Sequence, residues 1–268
     1  MSDKWGMCAL CPRLCRVVCP VATGTGREAA TPSAIATVLF GWEKGEWTPA
    51  QAASVATLCT DCGACQEHCH LHTPLADHLR QVRPLLVGCP PIDPLGPLEG
   101  DGELVAVEAD ERPLALALAK RLGQPVRRWR THDRLGVAAV EHPLWARQAH
   151  RLRDVVGQLK VVVVDGGVAH ALEAAGIGYS WLQELVPGLP IGYASCRCSG
   201  SKPPLSCCGA AEPLSRHHPE DAKRVAELWL QRADEWWVAD ARCREHLRRC
   251  NAEVTDPLDT LLVEEGLG

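Results

Sequence analysis

The sequence predicts an α+β fold, with a small, mainly helical domain over residues 1–84 and an α/β domain with parallel strands over residues 103–268. Three observations support this prediction. Cysteines cluster in three short runs, at 8–19, 59–69 and 196–208. Residues 85–102 are dense in proline and glycine, which interrupt helices and central strands, so we predict an interdomain linker there. After this linker, strand-like and helix-like apolar segments alternate, as they do in parallel α/β domains.

Length and composition exclude several classes of protein. The 268 residues can bury a core without disulfides, and the odd number of 15 cysteines suits metal or cluster ligation better than a disulfide framework. We expect a cytoplasmic protein without a transmembrane segment, because there is no signal peptide and no apolar run of membrane-spanning length. A net charge of −5 argues against a nucleic-acid partner, and the short basic segment 127–130 is predicted to be a solvated or partner-facing loop.

Three Thr-Pro pairs in the first domain predict helix starts, because threonine caps a helix and proline fits its first position. The pairs are Thr31-Pro32, Thr48-Pro49 and Thr73-Pro74. Gln51 follows Thr48 at the spacing of a capping box. The core of this domain is thin, so we expect bound metal to supply part of its folding free energy.

In the second domain, apolar periodicity predicts alternating helices and strands. Helices are predicted over 113–122, 144–156, 168–175, 219–232 and from Cys243, strands over 160–164 and 236–239, and a further apolar segment at 191–194.

A weak internal repeat divides the second domain into two pseudo-repeated halves. It aligns residues 160–172 with 235–247, and 134–139 with 206–211. In this register Val168 corresponds to Cys243, and Ala171 corresponds to His246. The first half is therefore interpreted as degenerate, whereas the second half keeps potential ligands.

Two four-cysteine runs in the first domain predict two 4Fe-4S clusters. The second run has the bacterial ferredoxin spacing C-x2-C-x2-C-x3-C, and the first has one extra residue between its second and third cysteines. In such pairs of runs the fourth cysteine reaches the other cluster. The predicted ligands are Cys8, Cys11, Cys15 and Cys69 for the first cluster, and Cys59, Cys62, Cys65 and Cys19 for the second. The alternative is a pair of structural zinc sites, since C-x2-C pairs also bind zinc.

A further cysteine-rich block, called the CCG block here, consists of Cys207-Cys208-Gly209 and the residues around it. Gly209 can supply the sharp turn that would let both adjacent thiols face one metal. Cys243 opens a predicted helix, and His246 lies one turn further on the same face. The candidate ligands are Cys207, Cys208 and Cys243, either Cys196 or Cys198, and His246. The block could hold a third iron–sulfur cluster or zinc, or be a set of buried thiols.

The whole chain resembles iron–sulfur subunits that carry two ferredoxin-type clusters followed by a cysteine-rich CCG domain. Examples are the small subunits of anaerobic glycerol-3-phosphate dehydrogenase, glycolate oxidase and related flavin enzymes, and the heterodisulfide reductases. The resemblance rests on the two cysteine runs, on SCCGAAEP at 206–213 and on VADARCREH at 238–246. It implies electron transfer from a flavin enzyme to quinone or another carrier. The chain departs from the pattern where the CxxC ending reads Cys243-x2-His246 and where one CCG copy lacks ligands.

Three functions are compatible with these patterns. The leading hypothesis is an electron-transfer subunit that has no turnover alone, beside a flavin-dependent dehydrogenase or oxidase and a quinone-reducing partner at the inner face of the membrane. The second is a disulfide or heterodisulfide reductase with the CCG centre as catalyst, against which His246 weighs. The third is a non-redox, zinc-binding interaction protein. Trp5, Trp42 and Trp47 are interface candidates, with packing around the clusters as the alternative.

Overall fold

The computed structural model describes residues 5–11, 14–88, 96–108, 112–130, 145–189, 207–231, 238, 240–250 and 252–268. They form many short helices and one five-stranded, mostly parallel sheet, which confirms the predicted α+β class. The chain divides into two compact units. Unit 1 comprises 1–88, 203–234 and 246–252, and unit 2 comprises 89–202, 235–245 and 253–268. Within the described ranges, no helix is long and apolar enough to cross a membrane.

The elements are numbered in chain order. The helices are α1 Gly6–Ala9, α2 Pro20–Thr25, α3 Pro32–Glu43, α4 Pro49–Ala56, α5 Ala64–His68, α6 Leu75–Val87, α7 Leu114–Leu122, α8 Trp145–Val156, α9 Gly166–Ala174, α10 Leu182–Leu185, α11 Glu212–His217, α12 Pro219–Leu230, α13 Ala241–Arg249 and α14 Pro257–Glu264. The strands are β1 Leu98–Glu99, β2 Leu104–Glu108, β3 Val126–Arg130, β4 Lys160–Val163 and β5 Tyr179–Trp181, and Leu14–Val18 and Glu28–Ala30 are 3-10 helices.

Two of the three predicted Thr-Pro helix starts are confirmed. The Thr31 hydroxyl accepts a hydrogen bond from the amide of Ala34, and Thr48 forms the predicted capping box with Gln51. The third prediction is wrong, because α6 begins at Leu75 and has no side-chain cap. The Thr73 hydroxyl instead lies 3.8 Å from the Cys69 thiol, so it contacts the cysteine loop and not the helix.

Helix α6 continues past Pro84 to Val87, three residues into the predicted linker. Its buried side chains include Leu75, Leu79 and Val82, which pack in the core of unit 1. A proline in the last turn removes only one hydrogen bond, so this packing can hold the helix through it.

The core of unit 1 combines the N-terminal helices with the segment that follows the CCG block. Trp5 and Leu39 are fully buried in it, together with Leu214 and Val225 from the later segment. Helices α2 and α12 approach so closely that a Cβ on Gly24 would lie 3.0 Å from the Cα of Val225. Residues 207–231 are therefore part of the helical unit that carries the two cysteine runs.

The sheet of unit 2 has the strand order β1-β3-β2-β4-β5, with only β1 antiparallel to its neighbour. The two central parallel strands pair in register, with Val105 beside Val161. Both strands are rich in buried valine, as expected where helices cover the faces of a parallel sheet.

The predicted loop at residues 127–130 is wrong, because these residues belong to β3. The Trp129 side chain is fully buried and its indole N–H donates to the carbonyl of Gly96 at 3.2 Å. Arg128, beside it, is paired with buried Glu108 on β2. Strand pairing and these partners allow a basic segment to enter the sheet.

Most of the predicted elements in unit 2 are present within one or two residues. Helices α7 and α8 and strand β4 are confirmed, and α9 begins at Gly166 because Asp165 caps it. Helix α12, in unit 1, is also confirmed. The predicted segment at 191–194 lies outside the described residues, as does all of the strand at 236–239 except Val238. Helix α14 was not predicted, although Asp256 caps it by accepting the amide hydrogen bond of Leu258.

The two aligned halves of the internal repeat share the start of a helix. Asp165 and Asp240 occupy equivalent positions, and both are buried. Asp165 Oδ1 accepts the amide of Val168 at 2.9 Å, and Asp240 Oδ1 accepts the amide of Cys243 at 2.9 Å. Asp240 Oδ2 also accepts the amide of Gly166 at 2.8 Å. These common caps support the repeat, while its second alignment, at 134–139, lies outside the described residues.

The Asp165→Asn variant is expected to remove a pH-dependent loss of stability. Burial, together with the negative charge of Asp240, raises the pKa of Asp165 from 3.8 to about 7. The folded state therefore binds a proton more tightly than the unfolded state, so the free energy of unfolding falls as pH rises from about 4 to about 7. Asparagine keeps an oxygen for the amide of Val168 and does not ionise.

We expect Asp165→Asn to be more stable than the wild type at about pH 8, by up to about 4 kcal/mol, and to lose this advantage on acidification. The measurement is thermal unfolding by circular dichroism at about pH 4 and about pH 8 under anaerobic conditions. Asp154→Asn, at an exposed position on α8, is the matched control and should change little. An equal shift at both pH values would contradict the assignment.

Candidate metal centre

Four cysteines predicted for the first cluster surround one cavity of unit 1. Cys8 lies on α1, Cys15 lies on the 3-10 helix that follows, and Cys69 comes directly after α5. Together with Cys11 and Cys65, they line a cavity of about 220 Å³. The fold thus brings the predicted set together, with one cysteine of the second set at its border.

The thiols of the first set differ in their electrostatic surroundings. Burial, together with the charges of Cys8 and Cys11, raises the pKa of Cys15 to about 11. Burial likewise raises the pKa of Cys8. The pKa of Cys69 is lowered, first by a hydrogen bond from the backbone of Thr73. Metal binding at this site would therefore release protons from Cys8 and Cys15 at neutral pH.

All eight thiols are half-buried, but burial affects the pKa values of the second predicted set more strongly. Burial is the main reason that the pKa values of Cys59 and Cys62 are raised well above the usual value and that the pKa of Cys65 is raised to about 12. Neighbouring thiolate charges contribute to these raised values: Cys207, Cys19 and Cys65 act on Cys62, and Cys19 acts on Cys65. The charge of Cys15, which belongs to the first set, also raises the pKa of Cys65, so the two sets adjoin each other.

A buried ion pair that sequence reasoning missed lies in the loop between Cys59 and Cys62. The Asp61 carboxylate accepts two hydrogen bonds from the guanidinium of Arg83, at 2.8 and 2.9 Å, and both side chains are 2% exposed. Arg83 also donates from Nε to the carbonyl of Ala56 at 3.1 Å.

Asp61 has a φ of +54°, an uncommon conformation for a residue other than glycine, and its amide donates to the Cys59 sulfur at 3.4 Å. Arg83 therefore fixes the conformation of the loop that carries Cys59 and Cys62. One signal in the sequence could have indicated the Asp61–Arg83 ion pair. Arg83 follows Leu75 and Leu79 at i+4 spacing, which places a charge on the apolar face of α6.

The CCG block is divided between the two units. Cys207 and Cys208 are buried in unit 1, and the φ of +92° at Gly209 confirms the predicted sharp turn. Cys243 belongs to unit 2, where Asp240 accepts its amide hydrogen bond. Cys196 and Cys198 lie outside the described residues. The predicted ligand set of the CCG block therefore stays a prediction.

His246, the last candidate ligand of the CCG block, belongs to unit 1. Its Nε2 lies 3.2 Å from the carbonyl oxygen of Ala222. Burial lowers the pKa of His246, which favours the neutral ring. A nitrogen that donates to a carbonyl cannot bind a metal at the same time, so in this arrangement only Nδ1, the other ring nitrogen, could act as a ligand.

The arrangement of the thiols fits a cluster. In the part of the chain that the structure describes, no three His, Cys, Asp or Glu side chains converge on the position of one metal ion. Thiolates on a single zinc ion all lie about 2.3 Å from it. Thiolates on a 4Fe-4S cluster bind four different irons and stand further apart. Five cysteine side chains line one cavity of about 220 Å³, so these soft donors surround a common space, as the ligands of a cluster do.

The Gly209→Ala variant is expected to destabilise the segment that carries Cys207 and Cys208. An added Cβ would lie 2.6 Å from the carbonyl oxygen of Ala222, and the φ of +92° is strained for alanine. The strained backbone alone is expected to lower the free energy of unfolding by about 1–3 kcal/mol, and the contact with Ala222 to lower it further. Gly26→Ala is the control, because φ there is +65° but the space is open, and about 1 kcal/mol is expected. Equal thermal midpoints for the two variants would show that the contact with Ala222 is unimportant.

Comparison with known proteins identifies the first region. Residues 4–73 match the family model of the 4Fe-4S dicluster domain, which includes all eight cysteines of the two runs and about a quarter of the chain. Neither a curated protein nor a solved structure matches the chain. This match supports an iron–sulfur domain of the ferredoxin type over residues 4–73, with 4Fe-4S binding and an electron-transfer role.

Proposed function

We propose that the chain is an electron-transfer subunit that takes electrons from a flavin-dependent dehydrogenase or oxidase and delivers them, through two 4Fe-4S clusters, to quinone or another carrier. The observation that carries the proposal is the pair of adjoining four-thiol sets in unit 1. Cys65 lines the cavity of the first set and belongs to the second. Electrons could therefore pass between two sites that share a border.

Each residue set has a defined task in this proposal. The first cluster would be held by Cys8, Cys11, Cys15 and Cys69, and the second by Cys59, Cys62, Cys65 and Cys19. When bound, a 4Fe-4S cluster supplies reversible one-electron transfer, at a potential set by its charge, hydrogen bonds and solvent exposure. The chain controls these properties through burial of Cys59 and Cys62 and through the charge of Arg83, which lowers the pKa of Cys59 against the effect of burial.

The surface next to the first site suits contact with a redox partner. Exposed apolar side chains include Met7, Leu10, Val17 and Leu71, on or beside the loops of Cys8, Cys15 and Cys69. Apolar groups that surround an exposed cofactor allow a partner to approach closely and exclude water. We therefore place the flavin partner at the first site. Of the two alternatives for Trp5, packing in the core is the correct one, since Trp5 is fully buried and its indole N–H donates to Glu43.

The metal content of the purified protein tests the proposal. The chain would be isolated without oxygen, iron, sulfide and zinc counted per chain, and EPR recorded after reduction with dithionite. Two clusters predict about eight irons and the magnetically coupled spectrum of two neighbouring reduced clusters. Zinc without sulfide would overturn the electron-transfer function and support the zinc-binding alternative.

The flavin partner requires a separate measurement. Photoreduced free flavin mononucleotide serves as the probe, and stopped-flow absorbance follows reduction of the clusters. The matched variants are Leu10→Glu, at the proposed contact, and Leu85→Glu on α6, another exposed apolar residue, which does not line the cavity of the first set. A slower reaction of Leu10→Glu alone supports electron entry at the first site, whereas equal rates contradict it.

A further inference from the structure

Helix α12 brings Cys207 towards the second cluster site. Helix α2, which begins directly after Cys19, packs against α12 around Val225. Gly209, two residues after Cys207, packs against the same helix at Ala222. The chain segments that carry Cys19 and Cys207 therefore lie against one common helix within unit 1.

The local geometry of Cys207 matches that of a predicted cluster ligand. Its sulfur accepts the amide hydrogen bond of Gly209, two residues on, at 3.3 Å. Cys59 accepts the amide hydrogen bond of Asp61, also two residues on, at 3.4 Å. Such bonds stabilise negative charge on sulfur, because they direct a backbone dipole at it. The sequence Cys207-Cys208-Gly209 thus presents one sulfur in the manner of a metal-binding loop.

Electrostatic coupling supports the same location. Cys207 lies close enough to Cys62 and to Cys19 for its charge to act on both of these thiols. Cys207 is only 5% exposed, so it shares this environment of low dielectric constant.

We propose that Cys207 is a fifth ligand-competent thiol of the second cluster site, able to bind the iron that is assigned to Cys19. The inference rests on the proposed function, because it requires a cluster on Cys59, Cys62 and Cys65. Exchange needs no oxidant or reductant. The Cys207 thiol loses its proton as its bond to iron forms, and the Cys19 thiolate gains a proton as its own bond breaks, so the charge of the site is unchanged.

Alanine variants of the two cysteines test the proposal, because serine could bind iron through its oxygen. Iron, sulfide and EPR would be measured on anaerobic preparations of Cys19→Ala, Cys207→Ala and the double variant. We expect Cys19→Ala to keep about eight irons and the double variant to keep about four. Cys19→Ala/Cys208→Ala is the matched control, and it should keep about eight irons because it retains Cys207 and its ligand geometry.

Two outcomes would overturn the inference: loss of about four irons from Cys19→Ala alone, or about eight irons in the double variant. The EPR signal of the first cluster serves as the internal control for folding in every variant. If Cys19→Ala does not fold, Cys19→Ser replaces it. Cys207→Ala is then added to Cys19→Ser, and a change in the EPR signal of the second cluster supports the role of Cys207. An unchanged signal opposes it. A wild-type chain without iron and sulfide would instead overturn the proposed function itself, so the two failures are distinguishable.

Discussion

Replacement of Arg83 by methionine is expected to destabilise unit 1 by about 3–5 kcal/mol, because it leaves the buried Asp61 carboxylate without its cation. The variant would also lose the hydrogen bond to the carbonyl of Ala56. Because Asp61 lies between Cys59 and Cys62, we expect the second cluster to be lost before the first. The measurements are the thermal midpoint and the iron content, with about half of the iron retained.

The matched control for this variant is Arg80→Met on the same helix. Arg80 is partly exposed, pairs with Asp77 at 3.1 Å, and lies 4.0 Å from Asp61. An exposed pair of this kind contributes about 1 kcal/mol or less. Similar losses of stability and iron in the Arg80 and Arg83 variants would contradict a specific role for the buried pair.

The pH dependence of the Arg83 variant provides a second check. Burial tends to raise the pKa of Asp61, but the charge and hydrogen bonds of Arg83 outweigh it, so the pKa is lowered in the folded state. The stability from this pair is therefore complete above about pH 4 and is lost as pH falls through the folded pKa. We expect the difference in free energy of unfolding between wild type and Arg83→Met to shrink on acidification. A difference that is constant with pH would assign the loss to packing alone.

The fold class, and the helices and strands with a regular apolar period, could be predicted from the sequence. The capping box at Thr48 and the amphipathic helix α12 illustrate why, since each depends on residues within one or two turns. Strand β3 could not be predicted from Arg127 and Arg128, because their partners, Gly102 and Glu108, come from other parts of the chain. Thr73 failed as a cap for a different reason, because α6 begins after Pro74 and the Thr73 hydroxyl contacts the thiol of Cys69 in the preceding loop.

The candidate site shows the same limit. The eight cysteines of the two runs could be identified because cluster ligands have a characteristic spacing along the chain. The relation of Cys207 to Cys62 depends on the packing of α12 against α2, and no local pattern records it. The Asp61–Arg83 pair likewise joins residues that are 22 positions apart. Spacing predicts ligands, whereas the groups that hold and tune them depend on tertiary packing.

Replacement of Cys69 by alanine is expected to remove about half of the iron and to abolish the EPR signal of the first cluster, although Cys69 belongs to the second run. The physical reason is crossed ligation. Cys69 lines the same cavity as Cys8, Cys11 and Cys15, and the backbone of Thr73 lowers the pKa of its thiol, so its thiolate can complete that cluster.

Combined variants make this prediction specific. Cys11→Ala should produce the same loss as Cys69→Ala, and the double variant should lose no more than either one, because both residues serve one cluster. Cys62→Ala should remove the other signal, so Cys62→Ala/Cys69→Ala should lose nearly all iron. Cys250→Ala is the control, because Cys250 is a half-buried thiol of unit 1 outside both sets, and it should keep about eight irons. If Cys69→Ala instead abolished the same EPR signal as Cys62→Ala, each run would hold its own cluster. Crossed ligation would then be wrong.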